Sequence, residues 1–158
     1  MPVTAQPQQL ARIALACLDL TSLNDADTEA DAPAPEGDLK TLLDATLAAT
    51  HIVFVSPVYW FSIPAPLKTY LDHWSGWMRV PGLPFKEQMA AKSLFLITTS
   101  GDRAKAQPMI DSAELCARFF GATWGGALWG KGGPPDAVLG DAAAQQAAAT
   151  FLIAPHAA

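Results

Sequence analysis

The sequence has few cysteines and few basic residues, and each shortage excludes a class of protein. Cys17 and Cys116 are too few and too far apart for a disulfide framework or a cysteine-based metal site. Ten Lys and Arg residues against fifteen Asp and Glu residues give a formal net charge of −5, which argues against a nucleic-acid or anionic-membrane surface. The histidines share no ligand spacing with each other or with the cysteines, so we expect no metal site.

A long apolar run is also lacking. A helix that spans a membrane needs roughly 18 or more consecutive apolar residues, and the alanine-rich tail at 137–154 is broken by Asp141, Gln145 and Gln146. The N-terminus lacks the basic flank and apolar stretch of a signal peptide. We therefore expect a cytoplasmic protein that does not enter a membrane.

Several catalytic and phosphate-binding motifs are missing. The chain has no GxSxG nucleophile elbow, and its glycine-rich segment "GKGGPPD" at 130–136 has neither the GxxxxGK[ST] nor the GxGxxG order. We interpret this segment as a turn into the last helix, with Asp136 as the helix cap. Lys131 is the residue in it that could meet a cofactor phosphate.

The patterns that are present predict a single α/β domain over residues 1–158. The hydrophobic content of 51% suffices for a core, and the acidic segment 24–38 is expected to be a solvated, mobile loop. Three short apolar runs predict buried strands at 51–56, 93–100 and, more weakly, 121–130. Helical spacing of apolar residues predicts helices from Asp38, from Pro64 to Met78, from Pro108 to Gly121, and over about 136–153. Alternating strands and helices indicate a parallel sheet covered on both faces.

Two loops follow strands of this sheet, where ligands of parallel α/β folds bind. The predicted binding residues are Ser56, Pro57, Val58, Tyr59, Trp60 and Phe61 in the first loop, and Thr99, Ser100, Gly101 and Asp102 in the second. Flat aromatic faces beside a few polar groups suit a planar ligand. Composition alone leaves open that the aromatics are core residues under the next helix, and that the second loop is an ordinary capped turn.

The segment "IVFVSPVYWFSIPAPLKTYLDHW" resembles the strand, loop and helix of NAD(P)H-dependent FMN reductases and the related quinone and azo reductases. The family pattern is matched by Pro57, Tyr59, Ser62, Pro64, Leu67, Lys68, Tyr70 and Asp72. "LFLITTSGD" is similar to the family's second flavin loop, and "FFGATWGGALWG" is similar to its last strand. The resemblance spans roughly residues 38–152.

This resemblance implies a flavodoxin-like, doubly wound parallel sheet with strand order 2-1-3-4-5 and helices on both faces. FMN would lie across the strand ends, with the backbone at 57–61 facing its ring and residues 99–102 at its polar edge. The chemistry would be centred on the flavin, without a catalytic side chain, and would move electrons from NAD(P)H to a small-molecule acceptor. Family members are commonly homodimers, and the resemblance assigns the aromatic segment 73–82 to the dimer surface.

The N-terminal part departs from the family pattern, because no Gly-Ser-x-Arg-type phosphate loop occurs before residue 50. In one placement, residues 5–15 end the first helix and "ACLDLTSL" is the second strand, so the first, central strand is absent. In the other, "RIALACLDL" is the first strand and "TSLND" its loop. We favour the first placement. Under it, either the chain starts late relative to a longer natural protein, or another chain or a rearranged segment fills the gap left by the central strand.

Two functions are consistent with these features. The leading hypothesis is an FMN-dependent NAD(P)H oxidoreductase that reduces a quinone, azo compound or flavin, in an N-terminally shortened form. The alternative is a non-catalytic flavodoxin-like binding or dimerisation module that has lost the FMN phosphate site.

Overall fold

The computed structural model describes residues 34–152. Both predicted placements of the N-terminal strands, and most of the acidic segment 24–38, lie outside the described residues. The elements in chain order are α1 (Gly37–Ala48), β1 (His51–Pro57), α2 (Ala65–Trp77), α3 (Phe85–Ala90), β2 (Ser93–Ser100), α4 (Arg103–Phe120), β3 (Thr123–Lys131), a 3₁₀ helix (Ala137–Gly140) and α5 (Ala142–Ala148).

The three strands form a parallel sheet in the order β1-β2-β3. Parallel neighbours need crossover connections, and helices provide them: α2 and α3 lie between β1 and β2, and α4 lies between β2 and β3. The register pairs Pro57 with Thr99, and Thr99 with Gly130, so the carboxyl ends of all three strands lie side by side. The predicted parallel α/β sheet is confirmed for the described residues, and β2 has the predicted bounds.

The chain divides into two compact units. Of the described residues, one comprises 34–48 and 65–85, and the other comprises 49–64 and 86–152. The whole sheet and the loops after its strands therefore belong to the second unit. The single domain expected from the sequence stays a prediction.

In the first unit, the two tryptophans of α2 are core residues. Trp74 and Trp77 are each 2% exposed, and both rings make edge contacts with Phe85. The Tyr70 hydroxyl lies 2.8 Å from the Thr46 hydroxyl, which links α2 to α1. The assignment of segment 73–82 to an aromatic dimer surface is therefore wrong for both tryptophans, because their rings are buried within the chain.

In the second unit, the core is built on β2. Leu94, Phe95 and Leu96 are fully buried, as a strand covered on both faces requires. Helix α4 packs on β2 and β3; its buried residues are Ala106, Met109, Ile110, Ala113, Ala117 and Phe120. The Phe95 ring lies over Gly125, where an added Cβ would come within 2.1 Å of the ring. Gly125 therefore lets an aromatic ring lie flat against the sheet.

Strand β1 differs from the prediction that it is buried on both faces. Its burial alternates, with Ile52, Phe54 and Ser56 buried and Val55 73% exposed. Within the described part of the second unit, β1 is an edge strand, and an edge strand with one open face shows this period-two pattern.

Helix α4 begins at Arg103 rather than at the predicted Pro108. The Asp102 carboxylate accepts a 2.9 Å hydrogen bond from the Ala104 N–H, and this cap starts the helix five residues before the proline. The predicted end is confirmed, because Gly121 has the left-handed conformation (φ 70°) that closes a helix.

The last helix is shorter than the predicted 136–153. Asp136 precedes the 3₁₀ helix with φ 64° and makes no side-chain cap bond, so the prediction that it caps the last helix is wrong. Asp141 caps α5 instead, by accepting a hydrogen bond from the Ala144 N–H. The backbone leaves helical geometry at Asp141, which divides the alanine-rich segment in two.

Candidate functional site

The loop after β1 is a tight hairpin turn. Tyr59 and Ser62 exchange two backbone hydrogen bonds of 3.0 Å, so only Trp60 and Phe61 lie between the paired residues. Both central residues have positive φ, 49° for Trp60 and 65° for Phe61. A two-residue loop with positive φ at both positions is a type I′ turn, which normally carries Asn-Gly or Gly-Gly.

The aromatic side chains of this turn are exposed. Tyr59 is 60% exposed, Trp60 93% and Phe61 53%. Composition alone left open that they are core residues, and their exposure excludes this. An aromatic residue in the left-handed region is uncommon and costs on the order of 1–2 kcal/mol. Two such residues that also place large apolar rings in water are destabilising in a free chain, and features of this kind cluster at functional sites.

The loop after β2 is held by its own side chains. The Ser100 hydroxyl donates to the Asp102 carbonyl at 2.7 Å and accepts from the Trp129 indole N–H at 2.8 Å. The Asp102 carboxylate is used as the cap of α4. Gly101 has open space at its Cβ position, where the nearest atom is the Gly132 carbonyl oxygen at 3.9 Å. The loop is thus a capped strand-to-helix turn, with an open surface at Gly101.

These two loops lie beside each other, as the sequence predicted. Pro57 and Thr99 are partners in the parallel ladder, and adjacent strands are about 4.8 Å apart. The side chain of Ser56 differs from the others, because it is 4% exposed and donates to the Pro57 carbonyl at 3.0 Å. The Ser56 side chain thus makes its hydrogen bond within its own loop, and its predicted contact with a ligand stays a prediction.

A third loop, after β3, joins the same edge. The sequence analysis did not include it among the predicted binding residues and named only Lys131 in it as a residue that could meet a cofactor phosphate. The Gly132 N–H donates to the Ser100 carbonyl at 2.9 Å. An added Cβ at Gly132 would lie 3.0 Å from the Thr99 Cβ, so a larger residue would crowd Thr99 in this close approach. The signal available in the sequence was Trp129, one residue before the end of the predicted strand 121–130. In the structure, Trp129 is the ladder partner of Thr98.

The third loop borders an open cleft of about 600 Å³. It is lined by Trp129, Lys131, Gly132, Pro134, Ala137, Gly140, Asp141 and Ala142. The Asp141 carboxylate accepts hydrogen bonds from the backbone N–H groups of Lys131, at 2.8 Å, and of Ala144, at 3.0 Å. The bond from the Lys131 N–H, followed by that from Ala144, lowers the pKa of Asp141, so its carboxylate stays ionised at neutral pH.

The prediction that the site has no catalytic side chain stays a prediction. Among residues 34–152, no group of three or more His, Cys, Asp or Glu residues could hold a metal ion. The described helices also include none that is long and apolar enough to cross a membrane. What the edge offers is exposed aromatic surface, open backbone and a glycine-bordered cleft.

Comparisons with known proteins agree with this architecture. A family model described as "Flavodoxin-like fold" matches residues 4–151. A Bacillus subtilis protein, provisionally named NAD(P)H-dependent FMN-containing oxidoreductase YwqN, is 32% identical over 120 residues, which are 74% of this chain and 66% of that protein. An FMN-dependent NADH:quinone oxidoreductase of Sinorhizobium fredii is 33% identical over 114 residues, covering 62% of this chain and 53% of that protein. The chain thus spans just under two thirds of the length of the first relative and about half of the length of the second.

A solved structure, that of the Trp repressor binding protein from Bacillus subtilis, superposes with a TM-score of 0.67 at 33% sequence identity. The match covers 72% of this chain and 74% of that one. Together with the parallel sheet of the described residues, these matches confirm the fold predicted from the sequence. The chain belongs to the family of proteins with the flavodoxin-like fold.

Proposed function

We propose that this protein is an FMN-dependent NAD(P)H oxidoreductase that passes electrons to a quinone, an azo compound or a flavin. The observation that carries the proposal is the strained, exposed turn at Trp60 and Phe61, beside the capped loop at Thr99–Asp102. The names of the two relatives, which are oxidoreductases that use FMN, support it.

The described residues fit the ring of FMN. The turn offers three exposed aromatic side chains, and the open space at Gly101 allows a planar group to approach the backbone of the second loop. Tyr59 or Trp60 would lie beside the ring, and the loop at Thr99–Asp102 would face its polar edge. The Ser100 and Asp102 side chains hold the shape of this loop, because their hydrogen bonds are made within the protein.

The protein's own contribution to the chemistry is orientation. FMN, when bound, would supply the redox step by accepting a hydride from NAD(P)H and passing electrons to the acceptor. The paired backbone hydrogen bonds of the turn and the cap of α4 keep both loops in place before a ligand arrives. Loops ordered in advance lose less conformational freedom on binding, which increases affinity.

We propose further that the protein acts in the cytoplasm as a homodimer on small molecules. The exposed rings of Tyr59, Trp60 and Phe61 form an apolar patch of the kind that marks ligand or protein contacts. The acidic net charge of −5 supports a partner other than nucleic acid.

The test is an FMN titration followed by absorbance and flavin fluorescence, with an assay of NAD(P)H oxidation in the presence of a quinone. Tyr59→Ala and Gly101→Val should each weaken FMN binding about tenfold or more, which corresponds to ~1.4 kcal/mol, because one loses ring surface and the other fills the open approach. Neither change should unfold the protein, since Tyr59 is exposed and the Gly101 Cβ position is open.

Matched controls are Phe119→Ala, an aromatic 56% exposed on α4, and Gly76→Val, whose Cβ position has no neighbour within 4 Å. Both should bind FMN as the unchanged protein does. Equal affinities for all four variants would place the site elsewhere. A protein that neither binds FMN nor oxidises NAD(P)H would contradict the oxidoreductase proposal and favour the non-catalytic module, whereas micromolar or tighter FMN binding would exclude that alternative.

A further inference from the structure

The cleft after β3 shares a wall with the proposed flavin site. Trp129 lines the cleft and donates its indole N–H to the Ser100 hydroxyl of the second loop. Gly132 also lines the cleft and donates its N–H to the Ser100 carbonyl. A ligand that crosses the strand ends could therefore occupy both places.

Close contacts fix the positions of the walls of the cleft. An added Cβ at Gly130 would lie 2.6 Å from the Val138 side chain, and one at Gly132 would lie 3.0 Å from Thr99. The chain therefore packs closely against the 3₁₀ helix at Gly130 and against β2 at Gly132. Asp141 fixes the far wall, because its carboxylate binds the Lys131 N–H and caps α5. The space that remains is large enough for a nucleotide-sized ligand.

The chemistry of the lining is apolar apart from two charged groups. Pro134, Ala137, Ala142 and the indole of Trp129 give apolar walls. Asp141 has both carboxylate oxygens bonded to backbone N–H groups, and its negative charge also attracts the Lys131 ammonium. The side chain of Lys131 is exposed at the rim and forms no ion pair among the described residues. The cleft therefore offers an apolar, partly aromatic surface with a lysine side chain exposed at its rim.

We propose that this cleft binds the phosphate-bearing adenosine part of the nicotinamide dinucleotide, with the Lys131 ammonium pairing with a phosphate oxygen. The inference rests on the proposed oxidoreductase function, which requires NAD(P)H. Lys131 is the ladder partner of Ser100, so its Cα lies about one strand spacing from β2 and about 10 Å, or two spacings, from β1. A dinucleotide is long enough to reach from the cleft to the turn at Trp60.

The experiment measures binding of adenosine nucleotides to the whole chain without flavin or turnover. The probes are 2′,5′-ADP and 5′-AMP, which separate a 2′-phosphate from the 5′-phosphate that NADH and NADPH share. The readout is the indole N–H signal of Trp129 in ¹⁵N-labelled protein, identified by its loss in Trp129→Phe. Lys131→Gln should weaken binding at least tenfold, whereas Lys105→Gln, which removes an exposed lysine of α4, should leave it unchanged.

Each arm has a defined outcome. If Lys131→Gln weakens binding of 2′,5′-ADP alone, Lys131 contacts the 2′-phosphate, and the variant should have a higher KM for NADPH than for NADH. If it weakens binding of both probes equally, Lys131 contacts the 5′-side phosphate. The proposal is overturned if neither probe shifts the Trp129 signal at millimolar concentration, or if Lys131→Gln has no effect.

A comparison of FMN with riboflavin separates this proposal from cofactor binding. Lys131→Gln should change neither the affinity for FMN nor that for riboflavin. If the substitution weakens the binding of FMN but not that of riboflavin, Lys131 holds the flavin phosphate. The dinucleotide proposal is then wrong, while the oxidoreductase function stands. If the protein binds no flavin but binds the probes through Lys131, the oxidoreductase function fails and the nucleotide site remains.

Discussion

Individual polar atoms are buried without partners in both units. Among the described residues these include the Nε2 of His73, the indole N–H of Trp77 and the hydroxyl of Thr98. Each unsatisfied group lowers stability by about 1–3 kcal/mol relative to a paired one. The sequence analysis could not locate them, because an unpaired atom is defined by the side chains that fold around it.

His73 makes the stability of the first unit depend on pH. Burial lowers its pKa below 6.5, and the Asp72 carboxylate only partly opposes this shift. The folded state therefore binds fewer protons than the unfolded chain between the two pKa values, so stability falls as the pH drops below about 7 and levels off below the folded pKa. His73→Phe, which keeps a ring beside Trp77, should reduce this loss.

The measurement is urea denaturation from pH 8 to pH 5. His51→Phe is the control, since it also changes a histidine that contacts an aromatic ring, here Phe95, but one in the second unit. An identical loss of stability in the unchanged protein and in His73→Phe would show that other groups cause the acid sensitivity.

At the scale of the element, the turn after β1 has a backbone conformation that its residues do not favour. Asn-Gly suits a type I′ turn, and this turn has Trp-Phe. Trp60→Asn with Phe61→Gly should relieve about 1–2 kcal/mol per residue of backbone strain, less about 0.5–1 kcal/mol for the freedom that glycine adds to the unfolded chain. We expect a net gain of at least ~1 kcal/mol in the free energy of unfolding, together with weaker FMN binding.

Trp60→Ala with Phe61→Ala is the matched control, because it removes both rings while leaving non-glycine residues in the left-handed region. It should weaken FMN binding without the gain in stability. Equal stabilisation of the two double variants would show that exposure of the rings, and not the backbone conformation, destabilises the turn.

The ends of helices show what local sequence can predict. Gly121 ends α4 as predicted, since glycine alone adopts the left-handed conformation without strain. The start of α4 was misplaced because Pro108 and Asp102 are both good start signals, and only the observed bond to the Ala104 N–H decides between them. The same ambiguity between Asp136 and Asp141 made the last helix too long in the prediction.

At the scale of the whole molecule, the exposed turn predicts self-association. We expect light scattering after size-exclusion chromatography to give twice the 16.7 kDa mass of one chain at tens of micromolar. Trp60→Ser, which removes the 93% exposed ring, should shift the protein towards the monomer, whereas Phe119→Ser should not. A monomer mass at every concentration would contradict the homodimer proposal.

For the described residues, the sequence by itself determined the three strands, their parallel direction and the loops at their carboxyl ends, because apolar runs and turn residues are local signals with a direct structural meaning. Tertiary structure alone decided that Trp74 and Trp77 are buried while Trp60 is exposed, since all three lie in one aromatic-rich stretch of similar composition. It also decided that Trp129 meets Ser100 and that Lys131 borders a cleft. These features depend on which distant residues pack together, and no local pattern specifies that.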